Sequence, residues 1–189
     1  MRSAPLTLVR CSDIKGLSDD SMIRQGNREM NEKMRIVPLL PEYDAAVAAL
    51  VRVNLKARKL DIPGTAYYDE GLDHLSEYYS RPGRAYYVLL DGARAVGGIG
   101  YADFTHIPGC CEMQKLYLDD AVKGQGYGYE LVSFIEARAR EKEYKKIYLE
   151  THTNLQAAIH LYEKCGYRQI PRPDWVVHST MNRFYLKDL

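Results

Sequence analysis

Glu112-Met113-Gln114-Lys115-Leu116-Tyr117-Leu118 and, after four residues, Lys123-Gly124-Gln125-Gly126-Tyr127-Gly128 form the stretch on which the reading of this chain turns. The first segment belongs to a predicted strand over about Cys110 to Leu118. The second sets glycines at 124, 126 and 128 where a predicted helix opens, running from about Gly126 to Lys142. Glycines leave backbone N–H groups pointing outward, and the helix dipole adds partial positive charge at the same place. Such a turn cradles an anion, and a diphosphate suits it. A glycine-rich turn can also serve tight chain geometry alone, so the turn by itself leaves both readings open. Known nucleotide fingerprints do not fit. There is no GxxxxGK[ST] loop, and Gly124-Gln125-Gly126-Tyr127-Gly128 lacks the GxGxxG spacing, with Leu131 where a late glycine or alanine belongs.

Upstream, Met34 to Val37 reads as a strand. Pro41-Glu42 opens a helix whose Ala45, Ala46, Ala49, Leu50, Val53 and Leu55 continue a mostly apolar face to about Arg58. Pro63-Gly64 breaks it, and a second helix is predicted over Asp69 to Tyr79. Ala85 to Leu90 and Arg94 to Phe104 form a hairpin around Asp91-Gly92, with glycines at 97, 98 and 100 that signal a bulge or close backbone approach. Downstream, Leu131, Phe134, Ile135 and Ala139 stripe the long helix. A strand over Lys146 to Thr151 follows, then a helix over Asn154 to Lys164 with Ala158, Leu161, Tyr162 and Cys165 on one face. Tyr167 to Ile170 and Met181 to Leu186 close the chain as strands. The class is α/β of the mixed, α+β kind.

The 189 residues suffice for one domain with a proper core. Residues 1–33 lack core periodicity, apart from a short strand-like Leu6 to Val9, and are expected to be an N-terminal extension to a domain over 34–189. Met1 to Arg10 lacks the pattern of a secretory signal. A net charge of +1 argues against a nucleic-acid partner, and no apolar run approaches membrane-spanning length. Cys11, Cys110, Cys111 and Cys165 fit neither a zinc site nor a disulfide framework, so the thiols read as reduced and the protein as cytoplasmic. The sixteen tyrosines suggest strand propensity with amphipathic surface packing, or a tyrosine-lined cleft.

Lys123-x-x-Gly126-x-Gly128 resembles the [Arg/Gln]-x-x-Gly-x-[Gly/Ala] signature of the GNAT acetyltransferase superfamily, and follows a strand ending Leu116-Tyr117-Leu118 as it does there. Asn154 to Tyr167, with Ala157, Leu161-Tyr162-Glu163-Lys164 and Gly166-Tyr167, resembles the family's second motif with one residue of slack. Lys123 departs from the arginine or glutamine of the pattern but keeps the charge. The resemblance implies a twisted, mostly antiparallel mixed sheet of about six to seven strands with splayed central strands, and about four helices. It implies acetyl-coenzyme A as cosubstrate, its phosphates on Lys123 to Gly128 and its pantetheine arm along the backbone of Leu116, Tyr117 and Leu118. The Leu116 N–H would polarise the thioester, and Asn154, otherwise a helix N-cap, would reach the arm. Glu112 matches the family's base position, with His106 as the alternative, and Tyr162 matches the acid that protonates the thiolate. The expected activity is N-acetyl transfer to a small-molecule, amino-acid or peptide amine. The acceptor would be chosen by Ile62 to Tyr68 and Arg172 to Trp175. The competing reading is an acyl-coenzyme A sensor without turnover. A homodimer is left open.

Overall fold

The computed structural model describes residues 34–176 and 180–189. The expected extension over residues 1–33, with its short strand and Cys11, lies outside the described residues. Seven strands form one sheet: β1 Met34–Pro38, β2 Arg84–Asp91, β3 Arg94–Phe104, β4 Cys110–Leu118, β5 Lys146–Thr151, β6 Arg168–Ile170 and β7 Arg183–Asp188. Their order is β1-β2-β3-β4-β5-β7-β6, and every neighbouring pair is antiparallel except β4 with β5. Four α-helices accompany them among the described residues: α1 Asp44–Lys56, α2 Leu75–Tyr79, α3 Tyr127–Glu141 and α4 Gln156–Lys164.

The strands alternate their side chains between two apolar layers, as a period of two requires. Tyr86, Val88 and Leu90 of β2 pack with Val47, Val51 and Leu55 of α1 and Leu75 and Tyr79 of α2. Leu89, Ile99, Cys111, Met113, Ile147 and Leu149 pack on the other face with Leu131, Val132, Ile135 and Ala139 of α3. Cys110 and Cys111 accordingly sit in different clusters, and both are free thiols.

Several expectations shift. The helix over Asp69 to Tyr79 shrinks to a 3₁₀ turn at Leu72–His74 and the five-residue α2. Asp69 is extended (φ −60°, ψ 122°) and Gly71 is a poor helix former, so the helical path starts late. Asp44 anchors what remains, accepting from the Ser76 N–H (2.8 Å) and hydroxyl (2.5 Å). On α3, Val132 joins the buried stripe, while Phe134 is half-buried edge-on to Tyr87. The hairpin turn proper is Gly92-Ala93, since Asp91 pairs with Arg94. Eight tyrosines are core residues rather than surface ones: Tyr79, Tyr86, Tyr101, Tyr127, Tyr148, Tyr162, Tyr167 and Tyr185.

Two irregularities in β4 set up everything functional. It pairs with β5 only from Cys110↔Lys146 to Glu112↔Tyr148, and from Met113 onward the two strands part. Against β3, Gln114 pairs with Gly100 and Tyr117 with Gly98, so Lys115 and Leu116 together face Ile99. This is a β-bulge, and Lys115 takes the left-handed φ of +51°. The Tyr86 hydroxyl donates to the Lys115 carbonyl at 2.9 Å. The phenol reaches it by lying over Gly98 and Gly100. A Cβ on Gly98 would meet the Tyr86 Oη at 2.5 Å, and one on Gly100 would meet its ring at 2.6 Å.

Tyr86→Phe keeps the ring and orphans the carbonyl, so it should cost about 1–2 kcal/mol of unfolding free energy. Gly98→Ala displaces the ring and should cost about 1–3 kcal/mol. Equilibrium urea unfolding measures both, and the double variant should lose less than the sum because the two changes remove one shared contact.

Candidate active site

A cavity of about 570 Å³ opens where β4 and β5 part. Residues 112–118 form one wall. Glu150 and Thr151 of β5 with Ala158, Leu161 and Tyr162 of α4 form the opposite one. Lys123, Gly124, Gly126 and Gly128 lie at one end, and Asn54, Arg58, Thr65 and Asp69 line it from α1 and the loop beyond.

At the glycine end, Gly124 and Gly126 take φ of +77° and +93°, a conformation that opens the turn and that side chains resist. A Cβ on either would stand in open space, so the requirement is conformational. Gly126 is the N-cap of α3 without a side-chain cap, so the first N–H groups of the helix lack a partner from it. Gly128 serves packing instead, its missing Cβ lying 3.0 Å from Leu161. Lys123 Nζ lies 2.5 Å from Asp120 Oδ1 and 2.6 Å from Asn54 Oδ1. The Asn54 amide donates to the Leu118 carbonyl at 3.0 Å, so that carbonyl is already engaged.

At the other end, Glu112 Oε2 accepts from the Gln114 amide at 2.5 Å, and Gln114 Oε1 accepts from the Tyr79 hydroxyl at 2.9 Å. Burial, abetted by the charge of Glu150, raises the Glu112 carboxyl above the ordinary carboxylate value, while the Gln114 bond and Lys115 pull the other way. Lys115 itself pairs with Asp69 at 2.6 Å. Tyr148 donates to Glu150 Oε1 at 3.0 Å. Tyr162 is buried on α4, and burial pushes its hydroxyl far up, so it stays protonated. Tyr117 lines the cavity, its hydroxyl likewise pushed up by burial.

The structure therefore brings together Glu112, Leu116, Tyr117, Leu118, Lys123, Gly124, Gly126, Gly128 and Tyr162. Three predicted site residues stand apart from the lining. Asn154 neither caps α4, whose N-cap is Leu155, nor faces the cavity; its amide donates to the Arg58 carbonyl at 2.9 Å. Gln125 donates to the Ala121 carbonyl at 2.8 Å. The Tyr127 side chain belongs to the core. His106 stacks on Trp175, with centroids 5.2 Å apart, outside the lining. Of the expected acceptor segments, Gly64, Thr65 and Ala66 line the cavity, while Arg172 and Trp175 do not. Sequence reasoning missed Asn54, Gln114 and Glu150. For the last two a signal existed: Glu112-x-Gln114 and Tyr148-x-Glu150 put polar groups on one face of strands otherwise rich in apolar residues.

The family model described as the acetyltransferase (GNAT) family matches residues 53–167. The chain is 40% identical over 108 residues to an uncharacterized N-acetyltransferase, YjgM, of Escherichia coli K12; the match covers 57% of this chain and 65% of YjgM. Among solved structures, an acetyltransferase from Streptococcus agalactiae matches with a TM-score of 0.72 at 19% identity, over 84% of this chain and 99% of that one. The PaiA N-acetyltransferase of Thermoplasma acidophilum, solved in complex with coenzyme A, matches with a TM-score of 0.66 at 15% identity, over 82% and 99%. The residues matched by the family model, 53–167, include the bulged β4, the glycine turn and the α4 motif that build the cavity, and the chain belongs to the GNAT acetyltransferase family.

Proposed function

We propose that the chain transfers the acetyl group of acetyl-coenzyme A to a primary amine, by direct attack in a ternary complex. The observation that carries this reading is one cavity lined at once by glycines of the turn, Glu112 and Tyr162. The coenzyme A bound by the PaiA relative supports the cosubstrate. The domain is taken as residues 34–189 with an extension before it, and the free thiols Cys110, Cys111 and Cys165 support a cytoplasmic setting.

The diphosphate lies on the turn, beside Lys123. The Leu116 N–H, in the bulge, polarises the thioester carbonyl, a one-donor version of an oxyanion hole. Glu112 takes a proton from the acceptor ammonium, which frees the nitrogen lone pair. The N–C bond forms and the C–S bond breaks. Tyr162 gives its proton to the departing thiolate, and the second nitrogen proton returns through water to the phenolate. Glu112 releases its proton to solvent.

Gly126→Val should weaken acetyl-coenzyme A binding in a folded protein, because the turn cannot keep φ at +93° with a β-branched side chain. Calorimetry reads this directly, and unchanged affinity removes the cradle. Glu112→Gln should lower kcat by roughly 10²- to 10⁴-fold with little change in cofactor affinity. The base works deprotonated, and its proton affinity is raised, so wild-type kcat/KM should fall on acidification at a pH above the ordinary carboxylate value. That limb should vanish in Glu112→Gln. Tyr162→Phe should lower kcat while thermal stability stays near wild type. Since burial holds its proton so firmly, Tyr162 should add no alkaline limb below the ordinary tyrosine value of about 10.

A further inference from the structure

Glu112, Gln114 and Tyr79 form one hydrogen-bonded chain that leads from the cavity into the core. Glu112 and Gln114 are two apart on β4, so they share a face, the one on which Tyr79 of α2 packs. Both line the cavity, and Tyr79 is buried.

The donors along this chain have only one order. A carboxylate only accepts, so the Gln114 amide turns its nitrogen to Glu112, at 2.5 Å. Its oxygen then faces the Tyr79 hydroxyl at 2.9 Å, and that hydroxyl donates. Burial, with Tyr86, Tyr78, Glu112 and Asp69 adding to it, pushes the phenol well above the ordinary tyrosine value, so it keeps the proton it donates. A reversed amide would set its oxygen against the carboxylate. The Tyr79 ring is held by its neighbours: it packs on Tyr78 and Tyr86 with centroids 4.8 and 5.1 Å apart, and a Cβ on Gly100 would come within 3.1 Å of it. Among the described residues, the hydrogen bond to Glu112 falls on Oε2, which leaves Oε1 to take a proton from an acceptor.

We propose that Gln114 is a positioning residue for Glu112, its amide locked nitrogen-first by the buried Tyr79 hydroxyl. This rests on the transferase reading above, in which Glu112 is the base. One aromatic pair then serves both partners of the reaction. Tyr86 holds the bulge at Lys115 and Leu116, and Tyr79, packed on Tyr86, holds the amide that orients the carboxylate.

The titratable groups around Glu112 come from three elements and a loop. They are Glu150 and Tyr148 on β5, Lys115, Cys110 and Cys111 on β4, Tyr79 on α2, and Asp69, which pairs with Lys115 at 2.6 Å. Burial raises the Glu112 carboxyl, and Glu150 adds to this; Gln114 lowers it more than Lys115 does. Loss of the Gln114 bond therefore raises the proton affinity of Glu112 further.

Carboxyl-carbon NMR of the full chain with labelled glutamate follows Glu112 directly, its resonance identified by its disappearance in Glu112→Gln. Gln114→Met keeps the length and loses the donor; Tyr79→Phe, the milder change, keeps the ring and loses only the hydroxyl. The Glu112 midpoint should rise by about one pH unit or more in Gln114→Met, as for one hydrogen bond to a charged group, and by less in Tyr79→Phe. The acidic limb of kcat/KM should move with it, whereas lost packing alone would lower activity at every pH and leave the limb in place. A midpoint that stays or falls in either folded variant overturns the inference. A midpoint that rises while the limb stays put, or with no turnover at all, rejects Glu112 as the base and keeps the positioning of its carboxylate by Gln114.

Discussion

The hydrogen bond from the Tyr86 hydroxyl to the Lys115 carbonyl is the contact on which the site depends. It crosses β3 through the space left by Gly98 and Gly100, and it holds a lysine in left-handed backbone in the middle of a sheet. Such a conformation costs a non-glycine residue on the order of 1–2 kcal/mol and persists only where its surroundings enforce it. With the bulge in place, β4 leaves the ladder of β3 at Lys115 and Leu116 and runs clear of β5. The cavity is the space between the parted strands, so its existence is a property of packing between β2, β3 and β4 as much as of its own lining.

The cavity is polarised along its length. Its glycine end carries Lys123, the start of α3 without a side-chain cap, and Arg58; its far end carries Glu112 and Glu150. In the proposed reading, the phosphate-bearing donor takes the glycine end and the thioester lies beside Leu116, on the way to the acidic end. The neutral residues that hold these charges, Asn54 at one end and Gln114 and Tyr148 at the other, come from separate elements, so the polarity is built by the fold as a whole.

Much of this was legible from local pattern. The strands Cys110–Leu118 and Lys146–Thr151 match their expected bounds, because alternation and flanking turns mark them clearly. The glycines of the turn announced a special backbone before any contact was known. The bulge was not legible at Lys115, since lysine has no preference for positive φ and the residue that enforces it lies 29 positions away. Asn154 misled for a related reason: its local signal was a helix cap, yet a carbonyl 96 positions away, at Arg58, claims its amide. Glu150 read as one strand residue among six until the parting of β4 from β5 exposed it to the cavity. Local chemistry marks where a site begins; long-range packing decides which neighbours join it.

Lys123 closes the turn with its ammonium already engaged by Asp120 and Asn54. In the proposed reading, a phosphate at the turn exchanges one counterion for another, so the lysine contributes to affinity only the difference between two pairings. Asp120 is largely exposed, and such a surface pair is weak, so the exchange is easy in both directions. The same carboxylate stands ready to take the lysine back when the spent carrier departs. A turn that binds its carrier in this way is fitted to repeated loading and unloading, which matters where product release limits the cycle.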